Sequence, residues 1–168
     1  AGGELSVSDN PLRWEVIEAW RQAALQYGIP ETEDFNRGDN EGVGYFQGTI
    51  RKGRRWSAAN AFLRPAMSRP NLRVITRAHV KGIRFAGRRA IGVDFWHGEQ
   101  PSTAEARCEV ILSAGAIGSP QIMQLSGVGP GALLQAHGIP VVHDLAGVGE
   151  NMQDHWQIRC SYKLKNTV

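Results

Sequence analysis

The amino-acid sequence predicts an α/β fold, part of it in α+β style, and three observations carry that prediction. Residues 108–115, "CEVILSAG", form a nearly unbroken apolar run of the kind that fills a buried parallel strand. A helical pattern opened by Ser119-Pro120 follows closely. Two runs, "AHVKGIRF" (78–85) and "AIGVDFWH" (90–97), alternate on either side of a turn at Gly87, as an antiparallel meander does.

From the N-terminus, Asn10-Pro11 predicts a helix start, because Asn caps free N–H groups and Pro at the first helical position gives up no bond. Val16, Ile17, Trp20, Ala23, Ala24 and Tyr27 then recur at three-to-four spacing, and Gly28 supplies a left-handed stop. Residues 29–42 read as a polar loop, "VGYFQGTI" (43–50) as a short strand, and "RKGRR" (51–55) as a solvated hairpin end. Ser57 stands where it would cap a second helix, "AANAFL", stopped by Pro65. "LRVIT" (72–76) is expected to open the meander, with "GEQPSTAEA" (98–106) a polar loop after it. Beyond the buried strand, the helix led by Ser119-Pro120 carries Ile122, Met123 and Leu125, "PGALLQAHG" repeats a Pro-start, Gly-stop grammar, and "IPVVHDL" reads as a strand. In the last segment Trp156, Ile158, Cys160, Tyr162 and Leu164 alternate with polar residues, which predicts a half-buried antiparallel strand.

The 168 residues are 42% hydrophobic and 21% charged, which suits a folded domain and not a disordered chain. No apolar run reaches the roughly 18 residues that cross a bilayer. The first residues lack the basic and apolar regions of a signal peptide, so a cytoplasmic setting without a transmembrane segment is expected. Ala1 in place of an initiator Met points to processing or to a bounded piece. Net charge is +3, but the arginines are scattered, which argues against a nucleic-acid partner. Cys108 and Cys160 form no C-x-x-C and read as buried, reduced thiols. The five histidines fall in no ligand pattern, so no metal site is expected.

Gly127-Val128-Gly129-Pro130-Gly131-Ala132 has the letters of a dinucleotide fingerprint, with Glu150 at a suitable distance downstream. Its context is wrong, because a predicted helix and not a strand precedes Gly127. "GVGEN" (147–151) is only G-x-G, with Met152 in the third glycine's place. Ala114-Gly115-Ala116, at the end of the apolar run, admits either tight strand–helix packing or the close approach of a flat ligand.

Gly115 to Gly129, "GAIGSPQIMQLSGVG", resembles the second signature of the glucose–methanol–choline (GMC) oxidoreductases at every constrained position. "GVGYFQGTIRKGRRWSAANAFL" before "RPNL", "ITRAHVKGIRFAGRRAIGV" and "GVGENMQDH" extend the resemblance over essentially the whole chain, nearest to bacterial alcohol and choline dehydrogenases that use an acceptor other than oxygen. The resemblance implies a partial FAD-binding, Rossmann-like domain with a β-meander, plus part of a substrate-binding domain. Its boundaries fall at 1–70 (substrate domain), 71–150 (FAD domain) and 151–168 (a strand returning to the substrate domain). It implies oxidation of an alcohol to a carbonyl by hydride transfer to flavin N5, the protein holding the alcohol carbon against the ring and supplying a base. By motif, Val80 corresponds to the residue whose backbone meets the adenine, and Ala114 and Gly115 to residues beside the cofactor. Asn151 and Asp154 fall in the flavin-proximal loop, as contacts or as loop-capping groups.

No catalytic residue is assigned within the chain. The family's base is a His near its C-terminus, paired with a second His or Asn, and His155 is read as a loop-positioning residue instead. The phosphate-binding glycines that begin the family's chains are also missing, so an internal piece, roughly a third of a member, is expected, inactive alone. Choline-oxidising members carry a Glu two positions after the Asp-His pair; here that position is Gln157. A neutral amide forgoes an attraction for a quaternary cation worth a few kcal/mol in a partly buried site, which favours a neutral alcohol over choline. The rival readings are a non-catalytic binding or assembly module derived from this fold and an NAD-dependent enzyme built on Gly127. Self-association is expected, through strand edges that lack partners. Any association with a membrane would come through the electron acceptor.

Overall fold

The computed structural model describes residues 2–163 and Lys165. The chain divides into two compact units, residues 1–74 and 75–168.

In the first unit, helix α1 spans Glu15–Gln26 and buries Ala24, and Gly28 ends it at φ +96°. It starts later than Asn10-Pro11 predicts. The Asn10 carboxamide accepts the Leu12 N–H at 3.0 Å, an Asx turn that holds residues 10–12 outside the helix, and extended Trp14 becomes the cap position. The strand expected over 43–50 shrinks to Ile50: Val43 bonds to Pro30 and Gly48 to Ser8, so the segment bridges two different loops instead of following one ladder. Strands β1 (Ile50–Arg51) and β2 (Arg54–Arg55) form the expected basic hairpin end, turned by Lys52 and Gly53, both at positive φ. Ser57 Oγ accepts the Asn60 N–H at 3.4 Å, and a widened helical turn over Ala59–Leu63 runs into α2, Arg64–Ala66. Pro65 therefore does not stop the helix; it sits in the first turn of α2, where its missing N–H costs no bond.

The second unit is built on an antiparallel meander, β3 (Ala78–Ala86), β4 (Arg89–His97) and β5 (Gln100–Glu105), in that order. The third strand differs from expectation. "LRVIT" is not a strand, while the predicted polar loop at 98–106 supplies β5, whose polar residues pair across the sheet: Thr103 donates to Asp94 at 2.7 Å. The predicted buried strand at 108–115 is also absent. It has no ladder partner among the described residues, and a parallel strand needs neighbours in its own sheet. Ile111 is 76% exposed, and Cys108 and Cys160 are exposed rather than buried.

Helix α3 spans Gly115–Leu125, starting four residues before Ser119. Ser119 serves it from within, its hydroxyl accepting the Ala114 N–H at 3.0 Å, and Pro120 lies inside the helix. Strand β6 (Val128–Gly129), helix α4 (Gly131–Ala136) and strand β7 (His143–Asp144) complete the unit, β6 and β7 pairing in parallel. The predicted strand 139–145 is thus reduced to two residues. Ser126 joins α3 to the meander: its Oγ accepts the Ile83 N–H at 2.7 Å and donates to the Ile122 carbonyl at 2.5 Å. Phe95, Val128, Leu134 and Val148 are the buried apolar residues of this unit. Among the described residues after Glu150 there is no strand and Trp156 stands 99% exposed, so the predicted alternation does not form a strand there; Leu164 lies outside the described residues.

Candidate functional site

The glycines from 127 to 131 close a packing site and not a phosphate cradle. Gly127 follows α3, as expected. The N-terminus of α4 is already occupied, the Gly131 N–H donating to Asp144 Oδ1 at 2.8 Å, and a Cβ on Gly131 would lie 3.1 Å from that carboxyl carbon. An anion placed there would meet a like charge.

The N-terminal end of α3 presents a different environment. No side chain caps its first turn, so N–H groups that have no intrahelical acceptor remain there. Gly115 stands at φ +84°, a backbone conformation that favours glycine, and a Cβ on it would meet nothing within 4 Å. Gly115 itself thus has no packing partner among the described residues, whereas the Ala114 side chain faces Gly118, on which a Cβ would lie 3.1 Å away. Beside this turn lies an open cleft of about 540 Å³, with Ala116, Ile117 and Pro120 on one wall and Glu150, Asn151 and Met152 on the other. Ile117 and Met152 expose their apolar side chains, and Asn151 takes φ +56° in the loop. The cleft is lined by small, apolar and amide groups with one carboxylate and no cation. Such a surface suits the face of a flat, largely neutral ring with hydrogen-bonding edges; it does not suit a pyrophosphate.

Among the residues singled out in the sequence, the structure brings Asn151 beside the turn that Ala114 and Gly115 begin. Ala114 and Gly115 adjoin the cleft at Ala116 without lining it, and three others lie apart from it. Val80 lies in β3 opposite Phe95, next to a register shift. Asp154 is exposed, its carboxylate accepting the N–H of adjacent His155 at 2.7 Å. Gln157 is exposed on the extended segment. Ile117, Met152 and Gln124 line the cleft and were not singled out. Met152 had entered only as the residue spoiling a glycine pattern, and Gln124 carries no local signal because its partner lies 24 residues away.

The first unit holds a second, charged hollow of about 510 Å³. Arg21 donates to Glu18 at 2.6 Å and also pairs with Glu31, Tyr45 donates to Glu18 at 3.2 Å, and the Arg13 guanidinium lies 3.8 Å over the Tyr45 ring. The hydrogen bond from Arg21, joined by one from Gln22, holds the Glu18 carboxyl down to about 2, and Glu18 in turn raises Arg21. Each charge at the centre of this hollow already has a partner, so it ties α1 to the 31–47 loop. Among the described residues no group of His, Cys, Asp and Glu could hold a metal ion, and no helix is long and apolar enough to cross a membrane.

The meander, helix α3 and the glycine-rich turns make a mixed α/β section, and comparison with known proteins gives the family. The family model described as GMC oxidoreductase matches residues 2–157, and the chain belongs to that family. It is 50% identical over 155 residues to the oxygen-dependent choline dehydrogenase of Pectobacterium carotovorum subsp. carotovorum (strain PC1), covering 92% of this chain and 28% of that protein. The oxygen-dependent choline dehydrogenase of Pectobacterium atrosepticum is 48% identical over 170 residues, covering 100% and 30%. Among solved structures, an FAD-dependent oxidoreductase from Chaetomium thermophilum superposes with a TM-score of 0.82 at 35% identity, over 91% of this chain and 27% of that one. Pyridoxine 4-oxidase from Mesorbium loti does so with a TM-score of 0.81 at 28% identity, over 86% and 29%. The chain thus spans less than a third of the length of the relatives it matches.

Proposed function

We propose that this chain is a section of an FAD-dependent alcohol oxidoreductase, one that presents the cleft between α3 and the 149–153 loop to the flavin ring and is inactive alone. The uncapped first turn of α3, opening beside Asn151 on a cleft with one carboxylate and no cation, is the observation that carries the reading. Residues 1–70 belong to the substrate domain, 71–150 to the FAD domain, and 151–168 return to the substrate domain. When bound, FAD supplies the acceptor for the hydride of the alcohol carbon. The chain's own residues bind and orient: Gly115 offers a backbone donor and, with Ala114, space, Asn151 an amide, and Val80 a backbone contact on the adenine side. Asp154 and His155 shape the loop, and no residue of this chain is proposed as the base. The phosphates are held outside the described residues, since Asp144 fills the α4 terminus. The exposed apolar segments make self-association of the isolated chain the expected behaviour.

Two substrate classes each have an observation behind them. Similarity to the choline dehydrogenases favours choline, and Gln157 in place of a carboxylate favours a neutral alcohol. The acceptor divides likewise: oxygen by the relatives' names, another acceptor by the resemblance. A chimera decides, in which this chain replaces its counterpart in the Pectobacterium carotovorum enzyme, assayed with choline and with neutral alcohols, with and without oxygen. We expect it to retain flavin and oxidise alcohols. Gln157→Glu is expected to raise the preference for choline about tenfold, and His155→Ala to lower flavin content before it lowers the rate per flavin. A folded chimera without flavin would refute the reading.

A further inference from the structure

Gln124 lies at the α3 end of the cleft, and its side chain crosses to the opposite wall. Its amide Nε2 donates to the Val148 carbonyl at 3.0 Å, the only hydrogen bond between the body of α3 and the 147–153 loop among the described residues. The path is cleared by two glycines far apart in sequence. A Cβ on Gly129 would lie 3.0 Å from Gln124 Cγ, and a Cβ on Gly149 would lie 2.8 Å from Nε2. Gly149, at φ +89°, is two residues from Asn151, so the amide fastens the loop at the point where it turns into the cleft.

We propose that Gln124 is the positioning residue of this cleft: its side-chain amide latches the 147–151 loop onto α3 and so sets where Asn151 stands. The proposal rests on the flavin reading only for what Asn151 meets there. The latch needs a donor, because its acceptor is a carbonyl. Glutamine supplies one at every pH; a carboxylate of the same shape cannot, and would set its charge against the carbonyl oxygen.

The test compares the 168-residue chain with Gln124→Glu and Gln124→Met, reading amide hydrogen exchange at 147–151, with β3 and β4 as the internal control for folding. Exchange at 147–151 is expected to rise about fivefold in both variants at neutral pH, the effect of one lost neutral hydrogen bond. In Gln124→Glu, protection should return as pH falls through the carboxyl range, because the protonated acid again has a donor. Gln124→Met should show no return. Glu150 and Asp144 are carboxyl groups beside the same loop in all three proteins, so wild type at each pH is the reference. Unchanged exchange at 147–151, or loss in Gln124→Glu without recovery in acid, would overturn the latch. FAD titration of the chimera, carrying Gln124 or either substitution, separates the two claims. Weaker FAD binding in both variants at neutral pH supports positioning, whereas equal binding with a loosened loop overturns it. If the chimera with Gln124 binds no FAD, the flavin reading fails and exchange alone judges the latch.

Discussion

Glu18 shows how one acid can tie a loop to a helix without serving chemistry. Its carboxyl accepts from Arg21, Gln22 and Tyr45, and the first of these does most to hold its pKa down to about 2, from 4.5 when unconstrained. A depressed folded-state pKa means that the bond stabilises fully above the unfolded value and is lost as pH falls toward the folded one. Wild type should therefore lose thermal stability between pH 4.5 and about 2 more steeply than Glu18→Gln, which has no carboxyl at that position to titrate. Melting curves followed by tryptophan fluorescence across that range check this; parallel slopes would remove Glu18 from the account. None of this network was legible in the sequence. Arg21 and Glu31 are ten residues apart and Tyr45 is 27 from Glu18, and only the folded loop brings them together.

Among the elements, the joint between α3 and β3 carries the clearest consequence. Ser126→Ala leaves the Ile83 N–H without its acceptor and should cost about 1–3 kcal/mol, read by urea denaturation. A loss under about 0.5 kcal/mol would mean that water takes the hydroxyl's place. What the sequence revealed at this scale depended on whether an element's partners lie nearby. The hairpin of β3 and β4, the Gly28 and Gly138 stops and the basic turn at Lys52-Gly53 are closed by neighbours, and each was legible. "CEVILSAG", "LRVIT" and the alternation after Trp156 have the right composition for strands, but a strand exists only where another backbone completes its ladder, and none does here. β5 is the converse: a polar run became a strand because β4 offered it an edge. Helix starts shifted where Asn10 and Ser119 spent their side chains on local turns that periodicity does not register.

At the scale of the whole molecule, more large apolar side chains stand exposed than buried among the described residues. Trp156, Ile158, Tyr27 and Ile111 stand largely exposed while Leu134 alone is closed to 1%. That pattern fits a piece spanning less than a third of its relatives. The family signature was legible because it is a contiguous string, and so was the exclusion of Gly127–Ala132 as a phosphate loop. The cleft was partly legible: of its lining Asn151 stood out by motif, whereas Gln124 and Met152 acquire meaning only through a loop that folds back from 24 residues on.

The central claim is that the α3 cleft, and not the Gly127 turn, faces the flavin. Titrating FAD into the isotopically labelled chain and mapping amide shifts by NMR tests it most directly. The account predicts perturbations confined to residues 114–117 and 149–153. Perturbations centred on residues 127–132 would contradict it.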